Sequence, residues 1–241
     1  MLIVPVDTRR ETVAPILRER HMPVRRIPKN HLSVTGNFAS RKNGTMGSFE
    51  SLLEKEYMLL LDFDDDVESF EEQPVNVPVH GVRRGYTPDI LVRFRPSSVT
   101  GEVRRPFLTE VKHSDDLRRN AEKYAPKFAA AQQYASDRDW EFGLTTEKEI
   151  RTTRLNNIKF LREYRNIFPA EGECNQILNL VESFGGSASL QDLVDCLSTN
   201  KEDQLAWLPV TWHMVLTRRL FTDLNASITG NMILQLPRSI L

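Results

Sequence analysis

The 241-residue sequence predicts a mixed α/β core followed by a smaller, mainly helical unit. Three observations carry this. An apolar stripe at helical spacing runs through Phe49, Leu52, Leu53, Tyr57, Leu60 and Leu61. Two apolar, β-branched runs, at residues 86–94 and 106–112, read as the strands of a hairpin. Helical periodicity returns at residues 115–137 and again beyond residue 170. At roughly 100–200 residues per domain, the length accommodates one large domain or two small ones. The hydrophobic share of 40% and the charged share of 27% exclude a collagen, a coiled-coil rod or a wholly disordered chain. The longest apolar run, residues 57–61, is far short of the roughly 20 residues of a membrane helix. The opening MLIVPVDTRR lacks the basic and long apolar regions of a secretory signal, so a cytoplasmic location and no membrane partner are expected. Cys174 and Cys196 are too few for a four-ligand zinc site and read as reduced thiols.

Along the chain, residues 1–45 carry Pro5, Pro15, Pro23 and Pro28 and no sustained period, and read as an extended basic arm. The core is expected over 46–168. A helix is expected from Ser48, ended by Asp64-Asp65-Asp66. A short strand follows near residues 67–70, then an extended stretch at 75–79 placed at an edge by its prolines, and a turn at 81–85. After the hairpin, the stretch 115–137 is an amphipathic helix with a kink or restart at Pro126. A strand near 140–145 and a helix through Ile158, Leu161 and Tyr164 complete the core. A break falls at Phe168-Pro169-Ala170-Glu171-Gly172. The unit 169–241 has helix patterns at 177–184, 190–197 and 210–220, then one or two strands at 228–236. That order is winged-helix-like, and a plain helical cap on the core fits it as well.

The formal net charge is −1, but its distribution is uneven. Residues 1–45 hold nine Lys/Arg against three acids, and residues 46–112 hold thirteen acids against eight Lys/Arg. A basic arm ahead of an acid-rich segment suggests phosphate binding beside a carboxylate site.

The informative spacing is Pro88-Asp89, then Glu110-Val111-Lys112. On antiparallel neighbouring strands, Asp89 near the start of one meets the end of the other. Side chains alternate along a strand, so Glu110 and Lys112 share a face while Val111 points into the core. Two carboxylates and one ammonium then converge. Carboxylate oxygens are hard ligands suited to Mg²⁺, whose bound water is a stronger nucleophile near neutral pH. Lys112 would orient that water or hold a phosphate as a point charge. The same residues also fit an edge hairpin with a surface salt bridge. Glu54 is the best third carboxylate and Glu50, one turn earlier, its rival, while Glu56 points elsewhere. The Asp64–Asp66 run is read as a helix end in solvent. Gln73, before Pro74, is placed to bond the backbone near the site, and His113 faces away from Lys112.

Six segments carry a resemblance: Phe38-Ala39-Ser40-Arg41-Lys42-Asn43-Gly44, Glu50-Ser51-Leu52-Leu53-Glu54, Glu71-Glu72-Gln73-Pro74, Tyr86-Thr87-Pro88-Asp89, Glu110-Val111-Lys112 and Thr146-Glu147-Lys148-Glu149-Ile150. In this order over residues 35–165, they resemble the TnsA endonucleases of heteromeric cut-and-paste transposons. The resemblance implies a restriction-endonuclease-like core that cuts the 5′ strands at transposon ends in double-stranded DNA. It implies Mg²⁺ dependence with Mn²⁺ as substitute, a TnsB-type transposase cutting the other strands, and a TnsC-type AAA+ regulator meeting the C-terminal domain. On the matching positions, Glu54 is the helix glutamate, Asp89 the metal-binding aspartate and Lys112 the active-site lysine. Glu110 falls where some relatives carry Gln, so its ligand role rests on the wider nuclease pattern. The expected metal set is Glu54, Asp89, Glu110 and the Val111 carbonyl. Arg25, Arg26, Lys29, Arg41 and Lys42 of the arm, with Arg119, Lys123 and Lys127 of a helix face, are expected on the DNA backbone. A restriction or junction-resolving nuclease of the same core, and a non-catalytic DNA-binding adaptor, are the rival readings.

Overall fold

A strand buried on both faces reads as an unbroken apolar run, and only a sheet covered on both sides can hold one. Residues 108–111 are buried without a gap, so the architecture around them is two-sided. The structure, a computed structural model, describes residues 34–237. Strands β1 (Gly36–Ala39) and β2 (Met46–Phe49) form an antiparallel pair ahead of helix α1 (Leu52–Asp62). Then come β3 (Val67–Glu72), the antiparallel pair β4 (Val77–Val79) and β5 (Val82–Tyr86), and the hairpin β6 (Ile90–Phe94) and β7 (Phe107–Val111). Helices α2 (Ser114–Arg119) and α3 (Ala121–Ser136) lead to β8 (Glu141–Thr145). The central sheet has the order β3-β6-β7-β8, antiparallel except for the parallel pair β7 and β8. A parallel pair needs a long crossover, and α2 with α3 supplies it.

Alternation divides the core. Ile90, Val92 and Val111 join α1 in the larger apolar cluster with Leu53, Met58 and Phe70. Leu91 and Leu108 pair across the hairpin with their side chains on the opposite face. A second, smaller cluster holds Val77, Val79, Tyr86 and Ala131 with Phe128 and Phe142 against them. Helix α1 covers one side, and α3 with the β4–β5 pair forms the other.

Helices α4 (Glu147–Ile150) and α5 (Thr153–Arg162), a 3-10 turn (Glu163–Asn166), then α6 (Glu171–Ser183), β9 (Ser187–Ser189), α7 (Leu190–Leu197), α8 (Lys201–Leu216) and β10 (Ile233–Gln235) complete the chain. β9 pairs antiparallel with β10, and a bridge joins Phe221 to Gln235. Helix, strand, two helices and a returning strand is the winged-helix order. The larger apolar cluster continues from the sheet into this unit through Ile158, Trp212, Leu193 and Ile177. Phe160 meets Trp212 edge-on at 5.5 Å, and Asn157 Nδ2 donates to the carbonyls of Leu224 at 2.9 Å and Ala226 at 2.7 Å.

Several elements differ from the sequence expectation. Residues 36–39 of the expected arm pair as a strand with residues 46–49, which include Ser48 and Phe49 of the expected helix, and α1 starts only after the Ser51 cap, whose Oγ accepts from Glu54 N at 3.1 Å. The expected turn at 81–85 is mostly strand β5, because Gly81 alone turns the chain with φ +75°. The helix break falls at Asn120, not Pro126. Asn120 Nδ2 bonds Asp116 Oδ1 at 2.7 Å and closes α2, while Pro126 sits inside α3. Helix α8 begins at Lys201, earlier than expected, where Asn200 caps it and Pro209 is carried inside. The Asp64–Asp66 run does end a helix, and Asp65 pairs with Arg218 at 3.1 Å.

Phe70, 1% exposed at the centre of the larger cluster, is a test of this packing. Phe70→Ala removes about 3–5 kcal/mol of stability, read as a lower urea midpoint with an unchanged slope.

Candidate active site

The register of β6 on β7 sets Ile90 opposite Thr109, so Asp89 and Glu110 come next along the ladder at one end of the hairpin. Asp89 N donates to the Thr109 carbonyl at 3.1 Å. Its carboxylate accepts the Val111 N–H at 2.7 Å, and its carbonyl accepts from Gln73 N at 2.7 Å. Asp89 is thus gripped by both neighbouring strands. Val111 is buried in the core and Glu110 and Lys112 share the other face, as alternation requires. Lys112 Nζ lies 2.8 Å from Glu110 Oε1, and Tyr86 Oη donates to Glu110 Oε2 at 2.7 Å. The Glu110 side chain is 6% exposed, so this is a buried polar centre and not a surface bridge.

These groups line a cavity of about 760 Å³. Asp89, Glu110 and Lys112 line it together with Glu50 and Gln73. Arg84, Lys123 and Lys127 also line it. Burial pushes the Asp89 carboxyl well above the usual range, and the charges of Glu110 and Glu54 push it further. Lys112 and the Val111 N–H act against that rise. Burial would lower the Lys112 ammonium, but the charges of Asp89 and Glu110 hold it above its ordinary value. Tyr86 is raised by burial and by the Glu110 charge, so its hydroxyl stays a donor. The site therefore couples two buried acids to one ammonium at the end of the hairpin, with Arg84, Lys123 and Lys127 lining the same cavity.

The helix carboxylates divide. Glu54 turns back onto its own helix start, where Ser51 Oγ donates to Oε1 at 2.9 Å and Glu50 N donates to Oε2 at 2.8 Å. Burial raises its pKa. Glu50 is the one of the two that lines the cavity. Glu56 points away, to Arg151 at 2.8 Å and Lys159 at 2.6 Å. Among the described residues no three His, Cys, Asp or Glu side chains are grouped as a ready metal cluster. The chemistry of Asp89 and Glu110, two buried hard-oxygen donors at one end of the hairpin, does fit a divalent cation.

The expected DNA-contact residues are dispersed. Lys123 and Lys127 line the cavity on α3. Arg119, on α2, does not line it and lies 3.9 Å from Asp115. Arg41 donates to the Leu216 carbonyl at 3.2 Å and lies over the Phe63 ring, and Lys42 Nζ bonds the Val67 carbonyl at 2.6 Å. These two brace the fold away from the cavity. Arg25, Arg26 and Lys29 lie outside the described residues. His113 sits beside Glu147 at 3.5 Å, off the site, and Glu147 is held down to about 2 by the Ser114 hydroxyl and N–H. Sequence reasoning missed Tyr86 and Arg84. The available signal was their place just ahead of Pro88-Asp89, on a stretch read as turn and core strand. Gln73 was expected to bond backbone with its side chain. Instead its Nε2 donates to Glu50 Oε1 at 3.0 Å, and its own N–H makes the backbone bond.

An acid pair and a lysine on an antiparallel hairpin, within a mixed sheet covered by helices on both faces, define a restriction-endonuclease-like nuclease. The model of the TnsA-like endonuclease N-terminal domain matches residues 64–147, and that of the TnsA endonuclease C-terminal domain matches residues 149–224. The chain belongs to the TnsA endonuclease family and is a nuclease subunit of a transposase, acting on DNA. The matches include Asp89, Glu110 and Lys112 and stop short of Glu50 and Glu54. No curated protein matches the chain. Among the described residues no helix is long and apolar enough to cross a membrane.

Two substitutions test the site's scaffold. Tyr86→Phe leaves a buried Glu110 oxygen without its donor and lowers stability by about 1–3 kcal/mol in urea unfolding. Gly85 has φ +66°, and a Cβ there would stand 2.4 Å from Asn76 Oδ1 and 2.7 Å from the Val77 carbonyl. Gly85→Ala therefore lowers the thermal midpoint, read by circular dichroism.

Proposed function

We propose that this nuclease cuts the 5′ strands at transposon ends with a divalent cation, Mg²⁺ or Mn²⁺ in its place, while a TnsB-type transposase cuts the 3′ strands. The observation that supports this reading is the convergence of Asp89, Glu110 and Lys112 in one buried, charge-focusing cavity. Asp89 and Glu110 hold the cation, with the Val111 carbonyl as a further ligand. Glu54 is the third carboxylate, since its charge already acts on Asp89, and Glu50 at the cavity wall is its rival. The cation supplies a bound water as nucleophile and offsets charge on the scissile phosphate. Lys112 keeps its proton beside the two acids and holds the phosphate or orients the attacking water. Lys123 and Lys127 take the DNA backbone, which positions the duplex without reading sequence.

The unit from residue 169 onward takes a protein partner, a TnsC-type AAA+ regulator. Between residues 169 and 217 seven acidic residues stand against a single lysine, Lys201. A helical surface of that charge repels a phosphate backbone.

In a reaction reconstituted with the partner transposase and end-labelled transposon DNA, Asp89→Ala and Lys112→Ala abolish 5′-strand cutting while 3′-strand cutting continues. Both variants keep the wild-type far-ultraviolet circular dichroism. Wild-type 5′ cutting by either variant overturns the assignment. Chelation by EDTA stops 5′ cutting and Mn²⁺ restores it, and cutting that persists in EDTA overturns the cation's role.

A further inference from the structure

Gln73 is unusual in two independent ways. It holds φ at +45°, a left-handed conformation that side chains bearing a Cβ adopt at a cost. It is 6% exposed, and its Oε1 is the buried side-chain oxygen that has no hydrogen-bond partner among the described residues. The orientation of the amide is dictated by its neighbour. Nε2 donates to Glu50 Oε1 at 3.0 Å, and a carboxylate only accepts. The reversed amide would set oxygen against oxygen. Oε1 is therefore left as an acceptor, and no protein donor among the described residues lies within hydrogen-bond distance of it. Tyr86 Oη and Lys112 Nζ both serve Glu110.

Gln73 lines the same cavity as Asp89 and Glu110, and its backbone N–H is bonded to the Asp89 carbonyl. A buried acceptor on a residue that shares its cavity with two hard-oxygen donors fits the polarised water of a hydrated divalent cation. Mg²⁺ and Mn²⁺ keep part of their water shell, and those waters are strong donors. We propose that Gln73 is a binding residue of the nuclease site, its side-chain carbonyl accepting a hydrogen bond from a water of the cation held at Asp89 and Glu110. This rests on the cation reading above. A glutamine suits the place because its donor end holds Glu50 and leaves its acceptor end for such a water, with no added negative charge.

The test is titration with Mn²⁺ alone, without DNA, reading free Mn²⁺ by electron paramagnetic resonance. Wild-type protein binds and Asp89→Asn does not. Absence of wild-type binding, or equal binding by Asp89→Asn, overturns the cation reading and this proposal together. Gln73→Met keeps the volume, removes the acceptor and weakens Mn²⁺ binding about tenfold. Gln73→Gly, which takes φ +45° without strain, weakens it equally and serves if the Met variant misfolds. Equal affinity of a folded variant and the wild type overturns the role of Gln73 and leaves the cation reading standing. The Glu50→Ala background separates a direct role from one exerted through Glu50. Gln73→Met weakens binding there by the same factor, and loss of that effect overturns the proposal.

Discussion

A single hydrogen bond, from the Val111 N–H to the Asp89 carboxylate, joins the fold to the chemistry. At this rung the side chain of one strand takes the place of its main chain. The hairpin stays closed while an acid is pinned against Glu110. Burying two carboxylates together is unfavourable unless charge and donors compensate. The compensation comes from three elements. Lys112 directly follows β7, the strand that carries Glu110, Tyr86 comes from β5, and the Asp89 carbonyl is tied to Gln73 after β3. Loss of any one leaves a charge or a donor stranded in a poorly hydrated place, so the site and the local stability are one problem.

The rest of the sheet holds this rung in place. The parallel strand β8 gives its Thr145 carbonyl to Lys112 N at 3.0 Å, fixing the backbone that carries the lysine. Glu147, just after β8, takes Ser114 by both its N–H and its hydroxyl, two residues beyond Lys112. The far side of the sheet is sealed by α1 and, through a shared apolar cluster, by the helical unit beyond residue 169.

The hairpin, its acids and its lysine were legible in the sequence because they follow from a period of two and from residue type. The helices α1, α3 and α5 were legible from their apolar stripes. The misread parts share a physical cause. The stretch at 75–79 was legible as extended and holds β4, but β1, β2 and β5 are short strands that contain Gly36, Gly47 and Gly85, so no sustained period marks them. Arg41 and Lys42, expected on the DNA backbone, also donate to carbonyls 175 and 25 residues away, contacts that no local pattern shows. The choice between Glu50 and Glu54 was not legible, since the sequence put both on one helix, whereas Glu50 lies ahead of the Ser51 cap and that cap draws Glu54 back onto the helix start. Tyr86 and Gln73 act through groups on other strands, which spacing along one strand does not show.

The bonds from Arg41 to the Leu216 carbonyl and from Arg218 to the Phe63 carbonyl close a loop that spans nearly the whole described chain. Protein synthesis runs through that loop in one direction. The segment that carries Glu50 and Glu54 emerges early, yet its last anchors are made only when the end of α8 follows. At about 5–20 residues per second, the interval is roughly ten to thirty seconds. Through that interval the nascent chain holds the acids of α1 without the brace from α8, so the brace is complete only in a chain that also carries the unit beyond residue 169.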